Sequence, residues 1–232
     1  MRTFLRVHLL ILLLLINPHS LLAQWVQTSG PWGAYYCFTV SASNLYVGTG
    51  GGGVYRTTDD GASWTAVNIG LTHTVVRTLA VSGANLFAGT YSGGVFLSTD
   101  SGTSWTTVNN GLVYTTIRAL VFSGTNLFAA SEGGGGVFRS TDNGANWAAV
   151  NNGLKFTALS VLSLAASGTN LFAGTFDGVY LSSDSGASWT ARSDGLTNWN
   201  GNLYVWSLGA SGADLFAGTG DGVYRSTDNG TS

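Results

Sequence analysis

An eight-residue stretch, Ser98-Thr99-Asp100-Ser101-Gly102-Thr103-Ser104-Trp105, recurs with small changes along the chain. Related stretches begin at Thr57, Ser140, Ser182 and Ser226. The last of them, STDNGTS, has no tryptophan within the sequence. The aspartates lie at positions 59, 100, 142, 184 and 228, so the repeat period is 41 to 44 residues. A fixed period in this range is typical of a protein built from copies of one small structural unit.

The residue types in this stretch predict a tight turn between two strands. Asp and Ser side chains accept hydrogen bonds from nearby backbone N–H groups, and the glycine supplies the positive φ that such a turn needs. We expect the tryptophan to open the next strand and to fold its ring back over the turn. We predict a structural role, not a chemical one, for Asp59, Gly61, Trp64, Asp100, Gly102, Trp105, Asp142, Gly144, Trp147, Asp184, Gly186, Trp189, Asp228 and Gly230.

The pattern S/T-x-D-x-G-x-S/T-W resembles the Asp-box, or bacterial neuraminidase repeat, which is found on β-propellers. The resemblance covers the chain after about residue 25. It is closest in style to sortilin-like and photosystem II assembly factor-like secreted propellers, with sialidases and xyloglucanases as more distant relatives. It implies an all-β propeller of four-stranded blades, with the Asp-box turn between strands three and four. It does not imply one function, because enzymes, receptors and assembly factors all carry this turn.

The repeat unit itself divides into four short strands. No part of the chain after the first 23 residues has a sustained 3.6-residue period, so the sequence predicts an all-β fold. In the second unit the predicted strands are Val75–Ser82, Asn85–Thr90, Gly94–Thr99 and Ser104–Asn109. Four-stranded units of this length match propeller blades, with the first strand innermost.

About five blades are predicted within residues 24–232, four of them complete and one shared or partial. Trp25-Val26-Gln27-Thr28 resembles the fourth strand of a blade, and the last unit supplies strands one to three. Two interpretations follow. The leading strand completes the last blade and closes a five-bladed ring, or the sequence is a fragment of a longer propeller. We favour the fragment, because the sequence stops inside its most regular motif.

The first 23 residues have the pattern of a signal peptide. Arg2 and Arg6 precede an apolar run, Leu9–Ile16, which is too short to span a bilayer, and Leu21–Ala23 offers a cleavage site. We therefore predict a secreted, periplasmic or cell-surface protein without a transmembrane segment in its mature chain. Removing this segment leaves seven basic residues against eleven acidic ones, which argues against nucleic acid as a partner.

Candidate binding residues lie where the repeats differ from one another. The loops from strand four to the next strand one carry His73, Tyr114, Phe156, and Trp199 with Asn200. Rings at similar positions in successive blades suit stacking on flat sugar faces or extended peptides. The alternative is that these rings cover the ends of the blades as lids. Because the predicted mature chain has no second histidine, we predict neither a His-based metal site nor a cofactor.

The turns between strands two and three carry a second set of residues, Tyr91, Glu132, Phe176 with Asp177, and Asp221. Three of these, Glu132, Asp177 and Asp221, are carboxylates. Glycoside hydrolysis needs two carboxylates about 5–9.5 Å apart. Because these three belong to successive blades, we predict no catalytic pair.

One aligned position on the first strands also varies, and it holds Tyr36, Arg77, Arg118, Leu162 and Trp206. If this position faces the central funnel, Arg77 and Arg118 could bind an anion such as a carboxylate. The alternative is that both arginines pair with backbone carbonyls or turn acids. Sialidases use three arginines with a Tyr and a Glu, so Leu162 and Trp206 argue against that activity.

The sequence thus predicts a secreted, non-catalytic binding or scaffold propeller that recognises a glycan or an extracellular protein through its variable loops. Two alternatives remain open. One is a fragment of a xyloglucanase- or sialidase-like glycoside hydrolase whose catalytic residues lie outside this sequence. The other is an assembly factor for a membrane protein complex.

Overall fold

The computed structural model describes residues 27–31, 33–197, 203–212 and 214–231. The predicted signal peptide, Trp25, Trp199 and Asn200 lie outside these ranges. The described residues form nineteen short strands and a single turn of 3₁₀-helix, Phe156–Leu159. None of the helical structure within these ranges is long and apolar enough to cross a membrane.

The strands form five antiparallel sheets, each made from consecutive segments of the chain. We call these sheets blades 1 to 5. Blade 1 contains β1 (Tyr35–Ser41), β2 (Asn44–Thr49), β3 (Val54–Thr57) and β4 (Thr65–Ala66). Blade 2 contains β5 (Val76–Ser82), β6 (Asn85–Thr90), β7 (Val95–Ser98) and β8 (Thr106–Thr107). Blade 3 contains β9 (Ile117–Ser123), β10 (Asn126–Ser131), β11 (Gly136–Ser140) and β12 (Ala148–Ala149). Blade 4 contains β13 (Val161–Ser167), β14 (Asn170–Thr175), β15 (Gly178–Ser182) and β16 (Thr190–Ala191). Blade 5 contains β17 (Val205–Ser211), β18 (Asp214–Thr219) and β19 (Val223–Ser226).

The first strands of successive blades lie side by side, from β1 through β5, β9 and β13 to β17. The hydrophobic core fills the spaces between neighbouring sheets. Between blades 1 and 2, for example, Tyr46 and Val54 of the first blade pack with Leu79 and Phe96 of the second. Sheets that meet face to face around a line of inner strands are propeller blades. The predicted all-β propeller of four-stranded units, four complete and one partial, is therefore confirmed.

The eight-residue turn connects the third and fourth strands of a blade through its own side chains. In blade 2, Asp100 accepts hydrogen bonds from the Ser104 N–H at 2.8 Å and from the Ser104 hydroxyl at 2.6 Å. The Ser98 hydroxyl donates to the same carboxylate at 2.7 Å and accepts from the Gly102 N–H at 2.8 Å. Gly102 has φ +84°, and Ser101 before it has φ +59°. The turn therefore needs two residues with positive φ, where the sequence predicted one.

The tryptophan of the turn does not fold back over it, which corrects our expectation. The Trp105 backbone N–H and indole Nε1 each donate at 2.8 Å to the preceding blade, to the carbonyls of Ile69 and Val67. Trp147 and Trp189 bond to their preceding blades in the same way. A buried indole removes about 150–250 Å² from water, which stabilises each interface by roughly 4–6 kcal/mol as an upper bound. The fourth strands of blades 1 to 4 are two residues long each.

The two outer blades expose residues that the inner blades bury. Val223 is 78% exposed, whereas the aligned Val54, Val95, Val137 and Val179 are at most 2% exposed. On the other side, Phe38 of β1 is 61% exposed, while the aligned Leu79 is buried. The Trp64 indole, which corresponds to Trp105, has no hydrogen-bond partner among the described residues. Within the described ranges, Phe38 and Val223 thus lie on the two blade faces that no neighbouring blade covers.

Candidate binding face

A β-bulge interrupts the first strand of every blade at the same position. In β1 the pairing with β2 shifts between Tyr35 and Cys37, so Tyr36 is left outside the ladder. The same shift in the other four blades leaves out Arg77, Arg118, Leu162 and Trp206. A bulge frees one residue from pairing and changes the direction of its side chain. The aligned position that varies in sequence is therefore the bulged residue of the first strand in all five blades.

The bulges lie at one end of each sheet. At this end the turn between the second and third strands meets the loop that leads to the first strand of the next blade. The N–H of Gly53, in the turn after β2, donates to the Thr74 carbonyl in the loop leading to β5. The Gly94 N–H donates to Thr115 in the same way one blade further on. These loops and turns therefore lie on one face of the molecule. We call this surface the bulge face. It comprises the five bulged residues together with Tyr91, Glu132, Phe176 and Tyr204.

Charged groups occupy the bulge face in blades 2 and 3. Arg118 and Glu132 form a two-pronged ion pair, with Nε–Oε2 and Nη2–Oε1 distances of 2.7 Å. The Arg118 hydrogen bond, aided by the charge of Arg77, lowers the pKa of Glu132. Arg118 is therefore paired with a turn acid, as one of our alternatives expected.

Arg77 has a different environment. Its guanidinium carbon lies 4.9 Å from the ring centre of Tyr36 and 5.1 Å from that of Tyr91. Its Nε has no hydrogen-bond partner among the described residues. Contact with two aromatic faces stabilises the cation and holds the guanidinium in one orientation.

Aromatic rings occupy the bulge face between blades 4 and 5. Phe176 lies 4.8 Å from Tyr204 and 6.3 Å from Trp206, and the last two rings are 5.6 Å apart, between centres. Phe176 is 36% exposed and Trp206 is 51% exposed. The rings meet at tilted angles, between 52° and 68°, so they fix one another in place while their outer surfaces stay in contact with water.

The loop residues that the sequence singled out fall into two groups. His73 lies over Gly93 and Tyr114 lies over Gly135, each in a turn of the next blade. A Cβ built on Gly93 would lie 2.4 Å from the Cγ of His73, and one built on Gly135 would lie 2.5 Å from the Cγ of Tyr114. These two rings thus cover blade ends, as the lid interpretation expected, although Tyr114 is still 42% exposed. Phe156 stands in the solvent at 88% exposure.

Each carboxylate in the turns between the second and third strands has its own partner. Asp177 accepts a hydrogen bond from the Tyr180 hydroxyl at 2.8 Å and lies 3.3 Å from the Lys155 ammonium. Asp221 accepts from the Thr197 hydroxyl at 2.9 Å. Within the described ranges, no three His, Cys, Asp or Glu side chains are grouped as metal ligands would be. The bulge face thus carries fixed charges in blades 2 and 3 and fixed rings between blades 4 and 5.

Comparison with known proteins identifies the fold. No family model matches the sequence, and no curated protein matches it. Solved structures do match. The extracellular domain of a hybrid two-component system from B. thetaiotaomicron aligns with a TM-score of 0.69 at 18% identity, over 88% of this chain and 28% of that one. The GH74 xyloglucanase from Xanthomonas campestris aligns with a TM-score of 0.61 at 17% identity, over 82% of this chain and 35% of that one.

A third match is YCF48 bound to D1 peptide, with a TM-score of 0.62 at 17% identity, over 84% of this chain and 64% of that one. This chain therefore spans less than two thirds of each of these three proteins. Identities this low establish the shared β-propeller fold and nothing finer. The neighbours include an enzyme, the extracellular domain of a two-component system and a peptide-bound protein, so function has to be argued from the site.

The sequence identified most of the bulge face but not how it is built. It aligned the five bulged residues and named Tyr91, Glu132 and Phe176 in the adjoining turns. It missed Tyr204, two residues before the bulge, and it treated Trp206 as the loss of an arginine instead of the centre of an aromatic cluster. The signal was present, because Tyr204 and Trp206 are two residues apart at the start of a predicted first strand, and Phe176 lies in the turn of the preceding blade.

Proposed function

We propose that this chain belongs to a secreted, non-catalytic Asp-box propeller that binds a glycan or an extracellular protein through the bulge face. One observation supports this proposal above the others. The chain repeats the same scaffold five times, yet at the bulge it places Tyr, Arg, Arg, Leu and Trp in turn. The bulged residue is left out of strand pairing and differs from blade to blade. It can therefore change what the protein recognises without loss of the fold.

The chemistry of the face favours ligands that combine flat apolar surfaces with polar groups. The Phe176, Tyr204 and Trp206 rings offer stacking surfaces at one end. The Arg77 guanidinium and the Arg118–Glu132 pair offer donors and acceptors at the other. Sugars and extended peptides both present this combination.

The direct test is binding of the purified mature protein to a panel of soluble polysaccharides and, separately, to a library of random peptides. We expect at least one saturable ligand, and we expect the Trp206→Ala and Arg77→Ala variants to weaken it. Val40→Ala is the matched control, because Val40 is 64% exposed on β1 but lies outside the bulge face. Ligands whose affinity is unchanged in both bulge-face variants would contradict the proposal.

The same panel tests whether Glu132 of this chain is itself catalytic. Glu132 is ionised and paired with Arg118, so it lacks the raised pKa that a general acid needs. We therefore expect binding without release of reducing sugar. Hydrolysis that disappears in a Glu132→Gln variant would identify a glycoside hydrolase instead, and co-purification with a membrane complex would support the assembly-factor alternative.

A further inference from the structure

Asparagine–glycine pairs occur in two different settings in this chain. Such a pair is prone to spontaneous deamidation, because glycine has no side chain to hinder its backbone nitrogen from attacking the asparagine side chain. Four pairs lie within the described ranges, beginning at Asn110, Asn143, Asn152 and Asn229. Asn143 and Asn229 belong to copies of the eight-residue turn, whereas Asn110 and Asn152 belong to loops that follow a fourth strand.

In the eight-residue turn the glycine nitrogen is held by a hydrogen bond. The Gly144 N–H donates to the Ser140 hydroxyl at 2.8 Å, and Gly144 is buried. The Gly230 N–H donates to the Ser226 hydroxyl at 2.7 Å in the same way. This bond has to break before the nitrogen can attack, so the turn protects its own asparagine.

In the loops the glycine nitrogen is free. The Leu154 N–H donates to the Asn151 carbonyl at 3.0 Å, and Gly153, the third residue of this four-residue turn, has φ +90°. This is a type II turn, which leaves the N–H of its third residue unbonded. The Gly153 N–H has no acceptor among the described residues, and both Asn152 and Gly153 are exposed. The nucleophile of deamidation is therefore available in the folded protein.

The two loop asparagines differ in how their side-chain amides are held. The Asn110 Nδ2 donates to the Asn146 Oδ1 at 2.6 Å, which fixes the amide. The Asn152 Nδ2 lies 3.5 Å from the Ala187 carbonyl oxygen, beyond the usual range of a hydrogen bond. The side chain has to turn toward the following backbone nitrogen for the reaction, and Asn152 loses the least in doing so.

We propose that Asn152 is a site of spontaneous deamidation that loosens the interface between blades 3 and 4. The Gly153 nitrogen gives up its proton to water and attacks the Cγ atom of Asn152. A new C–N bond forms, and the side-chain nitrogen takes up a proton and leaves as ammonia, which gives a cyclic succinimide. Water then opens either C–N bond of the ring and leaves aspartate or isoaspartate. Water is the only co-reactant, and the reaction does not depend on the function proposed for the bulge face.

The modified chain cannot keep the present interface. The Trp189 N–H donates to the Asn152 carbonyl at 2.8 Å, and a Cβ built on Gly153 would lie 2.2 Å from the Trp189 carbonyl oxygen. Isoaspartate carries the main chain through its side-chain carbons, which adds one carbon to the backbone at this close approach. Because the interface has no room for that carbon, the two blades have to separate locally.

One tryptic peptide reports on both settings. Cleavage after Arg139 and Lys155 releases residues 140–155, STDNGANWAAVNNGLK, which contain Asn143 and Asn152. The folded protein is incubated at mildly alkaline pH, and fragment-ion mass spectrometry measures deamidation at each site over time. We expect Asn152 to react about tenfold or more faster than Asn143, because only Asn143 is followed by a bonded nitrogen. In a synthetic peptide of the same sequence, which lacks the fold, the two rates should be similar.

Two variants separate protection from local sequence. Ser140→Ala removes the acceptor of the Gly144 N–H, so the rate at Asn143 should rise toward that at Asn152. Asn152→Ser removes the reactive amide and keeps the main-chain carbonyl that Trp189 bonds. The incubated wild-type protein should therefore develop a population with a lower melting temperature, and incubated Asn152→Ser should not.

Each outcome bears on the proposal. An unreactive Asn152, equal rates at Asn143 and Asn152 in the folded protein, or the same difference in the synthetic peptide would overturn the assignment of this site. An unchanged melting temperature after complete reaction at Asn152 would overturn its effect on the interface. Neither result would bear on ligand binding by the bulge face, which the Trp206→Ala and Arg77→Ala variants test separately.

Discussion

The aspartate of each eight-residue turn shows how one side chain can define a local structure. In blade 1, Asp59 accepts from the Ser63 backbone at 2.9 Å and from the Ser63 hydroxyl at 2.6 Å, and from the Thr57 hydroxyl at 2.7 Å. These bonds stabilise the ionised carboxylate, and they lower its pKa to about 2. Asp100 and Asp184 have the same bonds and the same pKa, also about 2.

These depressed pKa values predict acid sensitivity. A group whose pKa is lowered on folding stabilises the protein above its ordinary pKa, and that stability is lost as the pH falls through the folded value. The melting temperature should therefore be steady from pH 7 to about pH 5 and should fall between about pH 4 and pH 2. Asp59→Asn should reduce this dependence, while Asp60→Asn, in the same turn, should not. Thermal unfolding across this pH range checks the prediction, and an unchanged slope in Asp59→Asn would contradict it.

The indole Nε1 atoms of Trp105 and Trp64 provide a second residue-scale test. The first donates to the Val67 carbonyl, and the second has no partner among the described residues. Phenylalanine removes Nε1 in both cases. Trp105→Phe should lower the free energy of unfolding by about 1–3 kcal/mol more than Trp64→Phe, because only the former leaves a buried acceptor unpaired and a larger gap. Urea unfolding of the two variants measures the difference; equal losses would show that the indole hydrogen bond contributes little.

At the scale of the element, the loop after each fourth strand determines how closely two blades approach. Gly111 and Gly195 occupy the same place in this loop and have nearly the same φ, +83° and +81°. They differ in one respect. The backbone of Trp147 lies against Gly111, and nothing lies within 4 Å of a Cβ built on Gly195.

This pair separates backbone strain from interface contact. Alanine at either position has to adopt a left-handed conformation, which costs about 1–2 kcal/mol. At Gly111 the new Cβ also overlaps the neighbouring backbone, so we expect a further loss of about 3 kcal/mol or more. Chemical denaturation of Gly111→Ala and Gly195→Ala gives the comparison. Similar losses would mean that the blades can move apart at little cost.

The elements also show what a sequence can and cannot predict here. The second strand of blade 2, Asn85–Thr90, was predicted to the residue, because hairpin turns bound it on both sides. The fourth strand was predicted as Ser104–Asn109 and is only Thr106–Thr107. The Trp105 N–H bonds with the preceding blade and not with its own sheet, and no pattern within one repeat carries that information. The bulges were missed for the same reason, since register depends on the partner strand.

For the whole molecule, stability should depend on how many neighbours a blade has. Repeat architectures are held together by contacts between adjacent units, so a unit covered on one side is less stable than one covered on both. Blades 2 to 4 bury their second and third strands, whereas Val223 of blade 5 and Phe38 of blade 1 are largely exposed.

Hydrogen exchange measures this gradient directly. Amide protons of β6, β10 and β14 should exchange most slowly, and those of β1 and β17 to β19 should exchange faster. We expect denaturant to unfold the outer blades before the inner ones, so different probes should report different midpoints. Uniform protection over all five blades would instead indicate that the chain unfolds as a single cooperative unit.

The repeated bulge has a consequence for how such a protein can change over generations. Tyr36, Arg77 and Trp206 lie outside the ladder, and their ring contacts are made on the bulge face and not in the core clusters between blades. Substitutions there are nearly independent of folding, so selection can act on them one at a time. A library that randomises these three codons should yield mostly folded variants with different ligand preferences. A bulge that removes its residue from strand pairing thus makes the scaffold readily evolvable.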